Sequence, residues 1–247
     1  MLQSVGARFD STRSRYRVAH LDNRLIELLP RAARRSLLAI CEPVELVMSE
    51  VLSEQGKPTR YVYFPTDSFV SLVTIVEDKP FLEVGMVGYE GMHGVQLALG
   101  VDAAPLHSFV QGAGAAKRIK AAKFRRELGR SAPLRRVLQL YAHVLMTQLA
   151  TSAGCVRFHW IGPRMARWLL MTQDRARSEQ FHVTHEFLSY MLGVRRVGIT
   201  TAASTLQRAG LIKYRRGELT VLDRAGLEAA ACPCYADDRR AYEALLH

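Results

Sequence analysis

The sequence predicts an α+β protein made of consecutive, segregated blocks, and three patterns carry that expectation. Between Val44 and Phe124, short runs of β-branched and aromatic residues recur between turn signals, as in a sandwich or barrel-like roll. From Leu134 to Cys155, the inward positions step by four and three along what must be one long helix. From Val183 to Leu222, two short helical patterns meet at a glycine and a hairpin pattern follows.

Bulk properties narrow the class. The chain has 247 residues, 34 Lys+Arg against 23 Asp+Glu, and a formal net charge of +11. Such an excess favours a polyanionic partner, nucleic acid or an anionic surface. No apolar run reaches the roughly 18–20 residues that span a bilayer; the best, Val95 to Ala116, is broken by Asp102, Pro105 and His107. The arginines at 8, 13, 15 and 17 precede no apolar stretch, so no secretory leader is expected and the cytoplasm is the expected compartment.

Residues 1–20 are polar and arginine-rich and are expected to form a flexible extension. Ala32 to Ile40 predicts a short helix. The strand candidates are Val44–Val47, Tyr61–Phe64, Phe69–Val76 and Phe81–Val87, separated by turns at Gln55–Pro58, Pro65–Ser68 and Asp78–Pro80. A sandwich or barrel-like roll, of double-stranded β-helix or jelly-roll type, is therefore expected over 21–131. A helix is expected over 132–158, and a helical block with a hairpin over 159–247.

In the long helix, Leu134, Leu138, Tyr141, Leu145, Gln148, Ser152 and Cys155 form a heptad seam. Two uses are open to it: packing within one protomer, or pairing with a second copy. A homodimer, with Leu134, Leu138, Tyr141, Leu145, Gln148 and Ser152 at its interface, is the expectation carried forward. Gly154 is expected to ease the helix end, and Gly162-Pro163 to punctuate before a further helix over Arg164–Thr172.

The segment with the most chemistry follows. Thr184 is placed to cap a helix whose buried face is Phe187, Leu188 and Met191, and is itself expected among the DNA-contacting residues. Gly193 allows a tight left-handed turn. A second helix, about Arg195 to Ala209, buries Ile199, Ala202, Ala203 and Leu206 and turns outward Arg196, Val197, Thr200, Thr201, Ser204 and Arg208. A helix that enters a major groove about 12 Å wide needs this face: small or polar residues, with arginine near its N-terminus. Arg195 and Arg196 suit guanine or phosphate, and Thr200 and Thr201 suit bases or backbone. The hairpin tip adds Lys213, Arg215 and Arg216, cations suited to a phosphate backbone. Two late helices are expected at Arg224–Ala231 and Tyr235–Leu246.

The run Val183-Thr184-His185-Glu186-Phe187-Leu188-Ser189-Tyr190-Met191-Leu192-Gly193-Val194-Arg195-Arg196-Val197, continued by Ala203 to Ile212, resembles the winged helix-turn-helix of the Crp/Fnr regulator superfamily. The order of blocks agrees with that resemblance. It implies a transcription regulator that binds double-stranded DNA as a homodimer on a pseudo-palindromic operator, with RNA polymerase as a further partner and no membrane. It also implies that Arg196 stands at the family's early recognition-helix arginine. Val197 and Thr201 depart from the acidic and basic residues common there, so the operator cannot be carried over.

In cyclic-nucleotide-binding members a Gly-Glu pair and an Arg-Ser pair hold ribose and phosphate. The matching positions here are Gly94-Val95 and His107-Ser108, which lack both charged groups. Gly88, Glu90, Gly91, His93, Gly94, Val95, His107 and Ser108 remain the candidate ligand pocket, with no cyclic nucleotide expected and the effector open. Cys41, Cys155, Cys232 and Cys234 are too few and too scattered for a disulfide framework, and the histidines show no ligand spacing. No metal and no cofactor are therefore expected. No catalytic motif is present, so no enzyme is expected. Two alternatives stay open: a ligand-binding module acting through protein partners, and a thiol-based redox-sensing regulator.

Overall fold

The computed structural model describes residues 22–76 and 81–247. The extension over 1–20 and the Asp78–Pro80 turn lie outside the described residues. Two short helices, α1 (Arg24–Glu27) and α2 (Arg31–Leu38), precede the roll. Asn23 anchors them: its side-chain oxygen caps Leu25 N, and its amide donates to the carbonyls of Pro65 (3.0 Å) and Gly91 (2.7 Å).

The roll comprises β1 (Glu42–Leu46), β2 (Val51–Ser53), β3 (Tyr61–Pro65), β4 (Phe69–Thr74), β5 (Leu82–Val87), β6 (His107–Gly112) and β7 (Gly114–Lys120). They form two antiparallel sheets, β1-β7-β3 and β2-β6-β4-β5. The expected strands fall within this set. Strands β2, β6 and β7 were not expected, because glycine, serine and basic residues dilute their alternation. Helix α3 (Ala121–Arg130) leads to α4 (Ala132–Phe158), whose N-terminus is capped by Ser131. Gly154 does not end α4, which continues to Phe158.

Beyond α4 come α5 (Ile161–Ala176), β8 (Gln180–His182), α6 (His185–Met191), α7 (Arg196–Arg208), β9 (Ile212–Arg215), β10 (Glu218–Val221), α8 (Arg224–Ala230) and α9 (Cys234–Leu245). Pro163 lies in the first turn of α5, where its missing N–H has no intrahelical partner to lose. The β9–β10 turn is Arg216-Gly217, both at positive φ (53° and 86°), the geometry a two-residue hairpin favours. Strand β8, not expected from the sequence, pairs with β10 and completes a three-stranded wing sheet.

One apolar core joins the roll to the block from α5 to α9, called the reader for the role its sequence pattern predicts. Val73, Met86 and Phe109 of the roll pack with Met165, Trp168 and Leu169 of α5 and with Phe187 of α6. The rings of Phe81, Phe109, Phe187 and Trp168 meet in a chain with centroids 6.1–6.5 Å apart, within the range of favourable aromatic pairs. Polar links flank it: Trp168 Nε1 donates to Glu83 (2.8 Å), and Arg175 pairs with Glu90 (2.7 Å). A second core gathers α1–α3, β3 and the N-terminal half of α4 around Phe64, Phe124 and Leu138.

The turn before the 3-10 segment Val95–Leu99 shows how tightly α4 is seated. A Cβ at Gly91 would stand 2.2 Å from Tyr141 Oη. Gly91→Ala is therefore expected to cost about 1–3 kcal/mol by overpacking, read as a thermal midpoint several degrees lower, and Tyr141→Phe should restore part of it. An unchanged midpoint would mean that the turn yields freely.

Desolvation at the joint pushes Glu83 from an ordinary 4.5 up to about 7, against the hydrogen bonds from Ser71 and Trp168. A folded value above the unfolded one means that the protonated carboxyl stabilises the fold fully below about pH 4.5. That contribution is lost as pH rises through about 7. Glu83→Gln should flatten the fall in thermal midpoint between about pH 5 and 8. Parallel profiles for the two proteins would show that Glu83 is already ionised in the fold.

Candidate functional site

The reader is built around a capped helix pair. Thr184 Oγ1 accepts from Phe187 N (3.1 Å) and starts α6. Gly193, at φ 61°, makes the turn. Arg195 is the N-cap residue of α7, and Arg196 begins it. Ile199, Ala202, Ala203 and Leu206 are buried, whereas Arg195, Arg196, Val197, Thr200, Thr201, Ser204 and Arg208 are exposed. Val197 is 70 % exposed, which is unusual for an apolar residue and leaves its methyls on the outer face. Thr200 Oγ1 lies 3.1 Å from His185 Nδ1, and Thr201 Oγ1 donates to the Val197 carbonyl (3.1 Å). These bonds occupy the two hydroxyls. Lys213, Arg215 and Arg216 are exposed on the wing. Tyr214 ties the wing to α6: its hydroxyl donates to the Val183 carbonyl, and its ring meets His185 at 4.8 Å.

The eight candidate pocket residues separate into two groups. Gly88, Glu90 and Gly91 form a turn against the reader: Glu90 Oε1 accepts from Gly88 N (3.1 Å) and from Arg175 (2.7 Å), and Tyr242 Oη donates to the Glu90 carbonyl (2.7 Å). His93, Gly94, Val95, His107 and Ser108 lie farther into the roll. There His93 Nε2 is 2.8 Å from Ser108 Oγ and 3.2 Å from Ser53 Oγ, and the two serines are 2.7 Å apart. Burial pushes His93 down to about 4, so its ring is neutral. Beside this network is a cavity of about 210 Å³ between roll and α4, lined mainly by apolar side chains such as Met92, Leu106, Leu145, Met146 and Leu149.

On α4, Leu134, Leu138, Tyr141 and Ser152 are buried within the protomer, and Leu145 and Gln148 are half-buried. The exposed surface of the helix carries Met146, Ala150, Ala153, Val156 and Phe158, continued by Trp160 at 86 % exposure.

A separate group overturns the expectation of no cofactor and no metal ligand. Cys155 near the end of α4, His159 one turn on, and Cys232 and Cys234 at the α8–α9 junction bring their ligand atoms within 4.8 Å of one another. Cys155 Sγ is 3.5 Å from Cys232 Sγ, and Cys234 Sγ is 3.5 Å from His159 Nδ1. All three cysteines are buried and free. The fold brings them together systematically: α9 packs along α4, and Cys232 N donates to the Pro163 carbonyl (3.3 Å). Cys155 is held below its ordinary thiol value by the hydrogen bond from Cys232, whose own value is raised in turn. Cys41 is remote from this group, its thiol donating to Leu37 O (3.3 Å). The signal in sequence is a Cys-x₃-His step at a helix end together with Cys-Pro-Cys 73 residues beyond His159 (232 minus 159). Neither half alone has the spacing of a known zinc module.

Comparison with known proteins agrees with this architecture. Residues 163–230 match the family described as the Crp-like helix-turn-helix domain. No curated protein matches the chain in sequence. Among solved structures, FixK2 from Bradyrhizobium japonicum superposes with a TM-score of 0.66 at 14% identity, over 78% of this chain and 98% of that one. A Crp/Fnr-family regulator from Eubacterium rectale gives 0.65 at 15% identity, over 83% and 96%. A CRP-family transcriptional regulator from Thermus thermophilus gives 0.63 at 17%, over 77% and 96%. Among the described residues no helix is long and apolar enough to cross a membrane. The chain thus has the fold of Crp/Fnr-family transcriptional regulators, with a roll-like domain, a long helix and, over 163–230, a match to the Crp-like helix-turn-helix domain.

Proposed function

We propose that this protein regulates transcription by seating α7 in the major groove of a specific DNA site. The observation that carries the reading is the outer face of α7, where Arg196, Thr200, Thr201, Ser204 and Arg208 stand exposed within a segment that matches a Crp-like helix-turn-helix. Arg195 and Arg196 at its leading end supply cations where a base edge or phosphate would lie. Lys213, Arg215 and Arg216 on the wing supply sequence-independent phosphate contacts. Thr184 caps α6, the helix against which α7 packs. Val197 and the threonine methyls favour contact with thymine methyl groups, so the operator is expected to differ from those read through a charged residue at these positions.

Two-fold assembly suits this reader, because paired recognition helices reach half-sites about one helical turn apart. The exposed stripe of α4 through Met146, Ala153 and Val156 supports a second copy there, since such a surface is costly to leave in water. The seam Leu134 to Ser152 would then brace each helix against its own roll.

The roll is not expected to respond to cyclic AMP. A cyclic phosphate carries a full negative charge. The roll cavity is lined by no arginine or lysine, and the nearby His93 is neutral. A thiol-responsive regulator is the second reading, and the convergence of Cys155, Cys232 and Cys234 favours it.

Arg196→Ala should weaken binding to a genomically selected site by about 5- to 150-fold, on the order of 1–3 kcal/mol for one lost base contact. Binding to random DNA should change much less. Mobility-shift titrations at fixed salt check this; equal losses on both DNAs would remove Arg196 from base readout. Neutralising Arg215 and Arg216 should weaken both DNAs alike and reduce the salt dependence.

A further inference from the structure

We propose that Cys155, His159, Cys232 and Cys234 hold one tetrahedral divalent metal ion of the zinc class, which pins the C-terminal tail to the end of the long helix. This deepens the thiol-responsive reading, and it is tested by metal content rather than by DNA binding.

The donor set is the first support. Three thiolates and one imidazole make a closed Cys₃His shell of the kind structural zinc sites use. The spacing is the second. Zinc–sulfur bonds of about 2.3 Å at tetrahedral angles place sulfurs about 3.8 Å apart, and a sulfur and a nitrogen about 3.6 Å apart. Cys155 and Cys232 sulfurs stand at 3.5 Å, and Cys234 Sγ and His159 Nδ1 at 3.5 Å. The whole set fits within 4.8 Å, room for a single ion. An iron–sulfur cluster would spread the same ligands over two or more irons. A disulfide would need two sulfurs at about 2.05 Å, and the cysteines are free.

The surroundings are the third. Three thiolates around a dication leave one net negative charge. Arg167 and Arg164, largely buried on α5, feel Cys155 and Cys232 electrostatically. Arg167 also donates to Ser152 on α4 (3.2 Å) and to Asp238 on α9 (2.6 Å), so the elements that carry the ligands share a second tie. Binding would release the thiol protons to solvent while His159 coordinates in its neutral form.

The ligands come from two places that sequence keeps far apart. Cys155 and His159 end the helix that leaves the roll, and Cys232 and Cys234 open the last helix of the reader block. An ion at this point fixes the reader block relative to α4. Loss of the ion would release that clamp.

The test is metal analysis of the freshly purified full-length chain by mass spectrometry. The expected result is one zinc per chain, falling at least fivefold in Cys232→Ser and in Cys234→Ser and unchanged in Cys41→Ser. Should the serine variants fail to fold, the wild-type protein is stripped with a chelator. Its thermal midpoint should drop by about 5–10 °C, as for a ligand lost from well above its dissociation constant. Refilling with cobalt(II) should give the intense visible bands of tetrahedral thiolate coordination. Wild-type protein without stoichiometric metal overturns the proposal, as does a weak octahedral cobalt spectrum. So does iron with acid-labile sulfide, or a Cys155–Cys232 disulfide in the isolated protein.

Discussion

Three arginines on one side of α5 set the terms for the rest of the structure. Arg164, Arg167 and Arg175 are each less than a tenth exposed. A buried guanidinium without a partner costs several kcal/mol, so each position must be answered by something that docks there. The helix-turn-helix answers Arg164 through the Leu192 carbonyl (2.5 Å), the tail answers Arg167 through Asp238, and the roll answers Arg175 through Glu90. A single helix thus specifies where three separately coded blocks must sit. Apolar packing alone would tolerate sliding; directional bonds from buried guanidinium groups do not.

This arrangement bears on how the ends of the molecule can influence one another. The turn that carries Glu90 also accepts from Tyr242 of α9, and α5 packs directly against α7. Whatever displaces the turn shifts a partner of α5, and α5 is packed against α7. Coupling of this type needs a ligand that favours one arrangement over the other, not merely one that binds. Candidate places for such a ligand among the described residues are the apolar cavity under Leu106 and Leu145, the cleft beside Glu90, Arg175 and Tyr242, and the cysteine–histidine group at the end of α4.

The parts legible from sequence are those specified by neighbours along the chain. The reader could be read almost residue by residue, because caps, a positive-φ glycine and an i, i+3, i+4 stripe are all local signals. The long helix was legible in length, yet its heptad positions Leu134, Leu138 and Tyr141 serve the protomer's own core, since the roll offers an apolar face as continuous as a second helix would. Strands β2, β6 and β7 were hidden by weak alternation. Pairing across 42 to 118 or 53 to 108 is a property of the sheet and leaves no mark in either strand. The cysteine–histidine group was illegible for the same reason. Its two halves are joined only once α9 lies along α4, so a search for one contiguous motif passes over both.

The hydrogen bond from Trp168 to Glu83 has a practical side. The chain has two tryptophans, one sealed in the joint at 4 % exposure and the other, Trp160, out in solvent at 86 %. That contrast in exposure is expected to separate their emission in colour and in access to quenchers. The indole at the joint also faces a carboxyl that changes charge near neutrality. The molecule therefore contains its own optical gauge of how firmly roll and reader are held together, readable in solution without a dye.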